Sequence, residues 1–269
     1  MSSPNETTEK TYIGLSCEVA PGVYCRTVGK GISRSNVYFV RSGSSWVLVD
    51  AASANCAPTI RRTAESLPGA NTRPCAILLT HDHPDHAGSA LELARMWDCP
   101  VYVHPDELPL ATISALSTVE KYANPLDRWL VLPLLRLLPR RRVESMLSRS
   151  SLKGVARAFD PEDAVPGLPD WECIHTPGHT PGHVAFFRPG DRVLITGDAL
   201  LSVDLNSFRG CLSWALRRNR QSVSGPPWYS TWNKRAARDS VTALVELEPR
   251  VVAPGHGMPI TSSFSKRRS

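Results

Sequence analysis

Three histidines and two carboxylates fall within six consecutive residues, His81, Asp82, His83, Asp85 and His86, in the stretch Thr80-His81-Asp82-His83-Pro84-Asp85-His86-Ala87-Gly88. Imidazole nitrogens and carboxylate oxygens at this spacing suit a borderline transition metal such as zinc. Five ionisable groups gathered in one place also call for a cation, because buried charges are costly unless paired or metal-bound. The stretch follows the apolar run Cys75-Ala76-Ile77-Leu78-Leu79, bounded by Pro74, which predicts a buried strand. Pro84 argues against a helix through this turn. The side chains are therefore expected to splay from a loop, toward more than one metal.

Three further groups of the same chemical type stand far apart, each at a predicted strand end. His179 lies in His175-Thr176-Pro177-Gly178-His179-Thr180-Pro181-Gly182-His183. Its two Pro-Gly pairs exclude a helix and predict a loop, with glycine allowing close backbone approach to an ion. Asp198 follows the run Val193-Leu194-Ile195-Thr196 through Gly197, and His256 sits between Gly255 and Gly257 after Val251-Val252-Ala253. Asp50 ends the run Trp46-Val47-Leu48-Val49.

The rest of the chain must position these groups. Strands are predicted at Val23–Thr27, Asn36–Arg41 and Trp46–Asp50, the last two joined through a turn at Ser42–Ser45. Helices are predicted at Ala57–Leu67, stopped before Pro68-Gly69, and at Ala90–Trp97, N-capped by Ser89. Val101–Val103, Trp171–Ile174, His183–Arg188 and Val193–Thr196 read as strands, and Arg235–Leu247 as a helix. Residues 1–11 read as a frayed tail. The segment 105–160 breaks this rhythm, with helical patterns at Leu110–Lys121 and Arg140–Ser148 interrupted by Pro125, Pro133 and Pro139. Such an insertion is a lid or substrate wall, added core, a homodimer interface or a membrane-surface contact. The stretch 201–233 reads as irregular, with Arg209, Arg217, Arg218 and Arg220 among Trp214, Trp228 and Trp232.

Length and composition are those of one globular domain spanning 1–269, with net charge +6 and 42% hydrophobic residues. The seven cysteines form no C-x-x-C pair. They read as reduced, buried thiols of a cytoplasmic protein. Met1–Lys10 has no apolar core of a signal peptide, and the apolar segment Trp129–Leu138 is too short to span a bilayer.

In T-H-D-H-P-D-H-A-G (80–88), T-P-G-H-T-P-G (176–182), T-G-D (196–198) and P-G-H-G (254–257), together with Asp50, the chain resembles the metallo-β-lactamase fold superfamily. The resemblance implies an α/β fold: a four-layer αβ/βα sandwich of two mixed sheets with helices outside. It implies two divalent metal ions, zinc first, with manganese or iron as alternatives. His81, His83 and His179 would hold one, Asp85, His86 and His256 the other, and Asp198 would bridge them. A metal-bridging hydroxide, oriented by Asp85, would be the nucleophile. Asp50, Thr80, His175 and His183 would support the ligands or line the pocket. Asp82 is expected to be solvated or bonded to local backbone.

The implied reaction is hydrolysis of an ester, thioester or lactone of a small molecule, similar to glyoxalase II and the acyl-homoserine lactonases. The chain stops thirteen residues after His256, so glutathione specificity is not expected. A phosphodiesterase or nuclease of the same fold is the alternative, drawing on the basic residues of 201–233. An iron-dependent thiol or persulfide oxidoreductase is another. Nucleic acid is not the expected partner.

Overall fold

The computed structural model describes residues 12–13, 16–67, 73–113, 115–218 and 221–261. The expected N-terminal tail, the Pro68-Gly69 helix stop and Arg220 lie outside these.

Strands β1 (Tyr12–Ile13), β2 (Ser16–Ala20), β3 (Val23–Val28), β4 (Ser35–Ser42), β5 (Ser45–Val49), β6 (Ala76–Leu78), β7 (Val101–Val103) and β8 (Ala156–Ala158) form one sheet in sequence order. Pairing is antiparallel from β1 to β5 and parallel from β5 to β8. The second sheet holds β9 (Glu172–His175), β10 (Val184–Arg188), β11 (Val193–Gly197), β12 (Val251–Pro254) and β13 (Ile260–Thr261), with β11 and β12 parallel. Alternation along β4 and β5 explains the layering. Tyr38, Val40, Val47 and Val49 pack against Val184, Phe186, Val193 and Ile195 of the second sheet. Val37, Phe39 and Leu48 face the other way, onto the helices α1 (Ala57–Ser66) and α3 (Ala90–Trp97), which sit either side of the single turn α2 (Pro84–Ala87). Strands covered on both faces read as continuous apolar runs for this reason.

The insertion carries α4 (Leu108–Ala111), α5 (Leu116–Lys121), a wide π-helical turn at Asp127–Val131, α6 (Leu132–Arg136) and α7 (Arg140–Ser150). Beyond it, α8 (Phe208–Ala215) precedes α9 (Lys234–Glu246), and α9 covers the outer face of the second sheet through Leu244. The result is the αβ/βα sandwich. Among the described residues no helix is long and apolar enough to cross a membrane.

Several local expectations are corrected. Pro84 opens α2 instead of barring it, because the first helical position needs no N–H donor. Ser89 stands before α3, yet its hydroxyl donates to the Ser53 carbonyl and accepts from the Cys56 N–H, so it ties two loops and caps nothing. Pro133 lies within a helical run from 125 to 136, where the wide turn before it relieves the ring's clash with the preceding turn. The irregular stretch 201–233 contains α8, N-capped by the Ser207 hydroxyl. The cysteines form no disulfide, but only Cys25 and Cys99 are buried and Cys75 is exposed.

Candidate metal centre

Chain segments leaving β6, β9, β11 and β12 converge at one edge of the sandwich, and backbone hydrogen bonds knit them. The Val184 N–H donates to Thr80 O at 2.9 Å, Gly255 N–H to Gly197 O at 2.7 Å, and Asn36 N–H to Gly255 O at 2.8 Å. The rings of His81, His83 and His179 lie mutually 4.5–4.8 Å apart between centroids. Asp85, His86 and His256 make a second group, with Asp85 Oδ2 3.3 Å from His256 Nε2 and the two rings 5.2 Å apart. Within each triad the ligand-type atoms lie within 4.8 Å of one another. Asp198 stands between the triads. Its Oδ1 is 3.3 Å from His86 Nε2, and its Oδ2 is 3.4 Å from both His179 Nε2 and His256 Nε2.

These residues fit a pair of cations. His81 Nε2, both ring nitrogens of His179 and Asp198 Oδ1 are buried without a hydrogen-bond partner. Buried polar atoms in a folded protein are almost always satisfied, and a metal ion can satisfy one lone pair from each of His81, His179 and Asp198. All-nitrogen and oxygen donors suit zinc, manganese or iron.

Electrostatics within the chain split the histidines. Burial holds His81 and His179 well below the usual imidazole range, as neutral donors. Burial also opposes a charge on His256, but Asp198 and Asp85 outweigh it and push it up to about 10. His86 is raised likewise by Asp198 and Asp50 against its burial. For Asp85, burial opposes ionisation, and the hydrogen bond from His256 with the charges of His86 and His256 prevails, so the carboxyl sits below its ordinary range.

The ligand-type side chains are braced. Asp50 Oδ2 accepts from His86 Nδ1 at 2.8 Å, and its Oδ1 accepts from the Thr80 N–H at 2.8 Å. Asp50 adopts φ +61°, a strained conformation for a non-glycine residue, of the kind that clusters at functional sites. The Thr80 hydroxyl bonds both Asp50 and His81 Nδ1. His183 Nε2 accepts from the Asp198 N–H at 3.0 Å, and its Nδ1 meets the Thr176 hydroxyl at 2.7 Å. Such partners fix ring orientation and tautomer. His175, by contrast, reaches neither triad. It stacks on His104 at 4.0 Å and bonds the Pro181 carbonyl at 3.0 Å, behind the loop that carries His179.

Three bracing elements were not read from the sequence. His256 Nδ1 donates to the Arg34 carbonyl at 2.6 Å, which also accepts from the Trp214 indole N–H at 3.1 Å, while the Arg34 guanidinium lies over the Trp214 ring. Asn36 Nδ2 and the Tyr38 hydroxyl donate to Pro254 O, fixing the loop before His256. Glu107 is 1% exposed. Its Oε1 accepts from the Asp82 N–H at 2.8 Å, and its Oε2 accepts from the Thr180 hydroxyl at 2.8 Å and the Gly182 N–H at 2.9 Å. One carboxylate thus staples the 80–88 loop to the 176–183 loop. Asp82 is half-buried beside it, its backbone N–H held by Glu107. A Glu before Leu-Pro in an insertion carries no signal of such a role.

Gly255 is required by space. A Cβ there would lie 2.3 Å from Asp198 Oδ1 and 2.8 Å from His86 Cε1. Gly255→Ala is expected to push Asp198 aside and weaken zinc retention by about tenfold or more, with an unchanged circular dichroism spectrum. Zinc titration of the variant at wild-type affinity would contradict this.

A small cavity of about 70 Å³ opens beside His83 and His179. Leu110, Val119, Tyr122, Asn124 and Asp127 of the insertion form one wall, and Pro181 and Trp232 lie opposite. Among the described residues lining it there is no Lys or Arg.

A family model described as the metallo-beta-lactamase superfamily matches residues 31–256. The probable metallo-hydrolase YflN of Bacillus subtilis is 35% identical over 97% of this chain and 93% of its own length. The crystal structure of TTHA1623 in a di-iron-bound form is 25% identical, with TM-score 0.51 over 87% of this chain and 93% of that one. AidC, a dizinc quorum-quenching lactonase solved with a product N-hexnoyl-L-homoserine, shares the fold at 13% identity, with TM-score 0.55 over 87% of this chain and 81% of that one. Motifs, architecture and these likenesses agree: the chain belongs to the metallo-β-lactamase superfamily of metallo-hydrolases.

Proposed function

We propose that the protein hydrolyses an ester, thioester or lactone of a small molecule at a dinuclear metal centre. The observation that carries this reading is Asp198, set within 3.4 Å of histidines of both triads beside a cavity bare of Lys and Arg. In this reading His81, His83 and His179 hold one ion, Asp85, His86 and His256 the other, and Asp198 both. Zinc is the first choice of metal. Two such ions supply a water deprotonated near neutral pH and polarise the scissile carbonyl.

The chain's own residues do the rest. Asp85, ionised and at the rim of the centre, would orient the attacking water. Thr80, Asp50 and His183 hold the ligand rings and Asp198 in register. The wall of Leu110, Val119, Tyr122 and Trp232 receives the apolar part of the substrate and excludes water. Asp82, Glu107 and Asp127 border the same space. Carboxylates without a basic partner disfavour a polyanion, which weighs against phosphodiester and nucleic-acid substrates. Seven cysteines without a disulfide support a cytoplasmic setting.

Metal removal tests the reading. Dialysis against a chelator is expected to abolish hydrolysis of p-nitrophenyl esters, thioesters and lactones, and zinc or manganese to restore it. Metal analysis should return two ions per chain. Activity confined to bis-p-nitrophenyl phosphate would overturn the substrate class, and a single iron with thiol oxidation would overturn the reaction.

A further inference from the structure

The insertion presents two faces. Its inner face supplies Val119, Tyr122, Asn124 and Asp127 to the cavity. Its outer face leaves Leu126, Trp129, Leu130, Leu134 and Leu137 exposed, Trp129 by 85% and Leu137 by 81%. These side chains make an exposed apolar stretch along the helical run and the residue that ends it. Soluble surfaces rarely leave so many large apolar groups contiguous without a use for them.

The charge along the same segment says what covers it. Between Arg128 and Arg149 the chain has six arginines (128, 136, 140, 141, 142 and 149) against one acidic residue, Glu144. Arg136 pairs with Glu120 and Arg140 with Glu144, whereas Arg141, Arg142 and Arg149 are exposed with no ion pair among the described residues. A second copy of this chain, meeting the same patch across a two-fold axis, would set these arginines against themselves. Tryptophan and leucine beside a basic field instead match the headgroup region of an anionic bilayer. The helices are too short to cross it, so the segment would lie along it.

We propose that the outer face of 125–149 docks the protein on membranes rich in anionic phospholipid, with the cavity on the inner face of the same segment. The docking uses none of the metal-type residues, so it stands or falls independently of the hydrolase reading. The test is flotation of the full-length protein with vesicles of phosphatidylcholine mixed equally with phosphatidylglycerol, and with phosphatidylcholine alone. Wild type is expected to float with the anionic vesicles only, and less so as salt is raised. The double variants Trp129→Ser with Leu137→Ser, and Arg141→Glu with Arg142→Glu, alter exposed side chains. They should keep wild-type melting curves yet float roughly tenfold less or worse. Wild type left at the bottom of the gradient with anionic vesicles would overturn the proposal. So would equal flotation of both variants, or a dimer in sedimentation velocity that the Trp129→Ser, Leu137→Ser pair converts to monomer, which would assign the stretch to a second copy.

Discussion

Asp85→Ala is expected to lower kcat on any ester or lactone substrate by about a thousandfold or more, through loss of the carboxylate that orients a metal-activated water. The carboxylate is 26% exposed, and its one ion pair among the described residues is to His256 at 3.3 Å. Its backbone carbonyl, which accepts from the Ser35 hydroxyl, survives the substitution. Melting temperature should therefore stay within roughly 3 °C of wild type, since the change removes no core packing. Asp85→Asn keeps the shape and loses the charge, and should be impaired to a similar degree. Stopped-flow or steady-state kinetics at saturating zinc settle the matter, with metal content measured on the same samples. A variant that carries two ions and turns over at the wild-type rate would remove Asp85 from the mechanism.

Glu107→Ala is expected to be the most destabilising single change near the site. It strands two buried donors, on Thr180 and Gly182, and a part-buried one on Asp82, at about 1–3 kcal/mol each. A loss of several kcal/mol lowers the melting temperature by roughly 10 °C or more in a chain of this size. Because the two stapled loops carry His81, His83 and His179, zinc affinity should fall by about 10- to 100-fold as well. The same residue gives a pH signature in the metal-free protein. Burial pushes its carboxyl up to about 7, against the pull of its three hydrogen bonds, from an ordinary value of 4.5. Between those values the folded protein keeps a proton that the unfolded chain has released. The stability linked to this group is thus full below pH 4.5 and is lost as pH rises through about 7. Its full size is about 3 kcal/mol. Melting curves of chelated wild type, compared with Glu107→Gln from pH 5 to 8, should show wild type losing ground as pH rises. Parallel curves would mean that Glu107 stays ionised throughout.

The divide between what was legible and what was not follows contact distance along the chain. The first cluster lies within six residues and right after a strand, so its chemistry could be read directly. His179, Asp198 and His256 were recognisable through the glycines beside them, since Gly197 and Gly255 mark places where backbone must approach a crowded centre. The strands β4, β5, β7 and β11 and the helices α1, α3 and α9 announced themselves by apolar runs and period, to within a residue or two. Local rules failed where the deciding partner was remote. Ser89 has the makeup of a cap, but the 53–56 loop offers its hydroxyl better partners. Pro133 breaks a regular helix, but not one already widened by a π turn. His175 has the right spacing for the centre and yet faces His104 behind it.

The residue types and their order along the chain thus determined the fold class and the ingredients of a metal centre. Which ring nitrogen is braced, by Arg34, Asp50 or Thr80, was decided only when the two sheets closed on each other. So was the Glu107 staple, and so was the face on which Trp129 and Leu137 emerge. Ligand chemistry is a property of single side chains, whereas hydrogen bonding between loops more than twenty residues apart depends on distances that exist only in the folded chain.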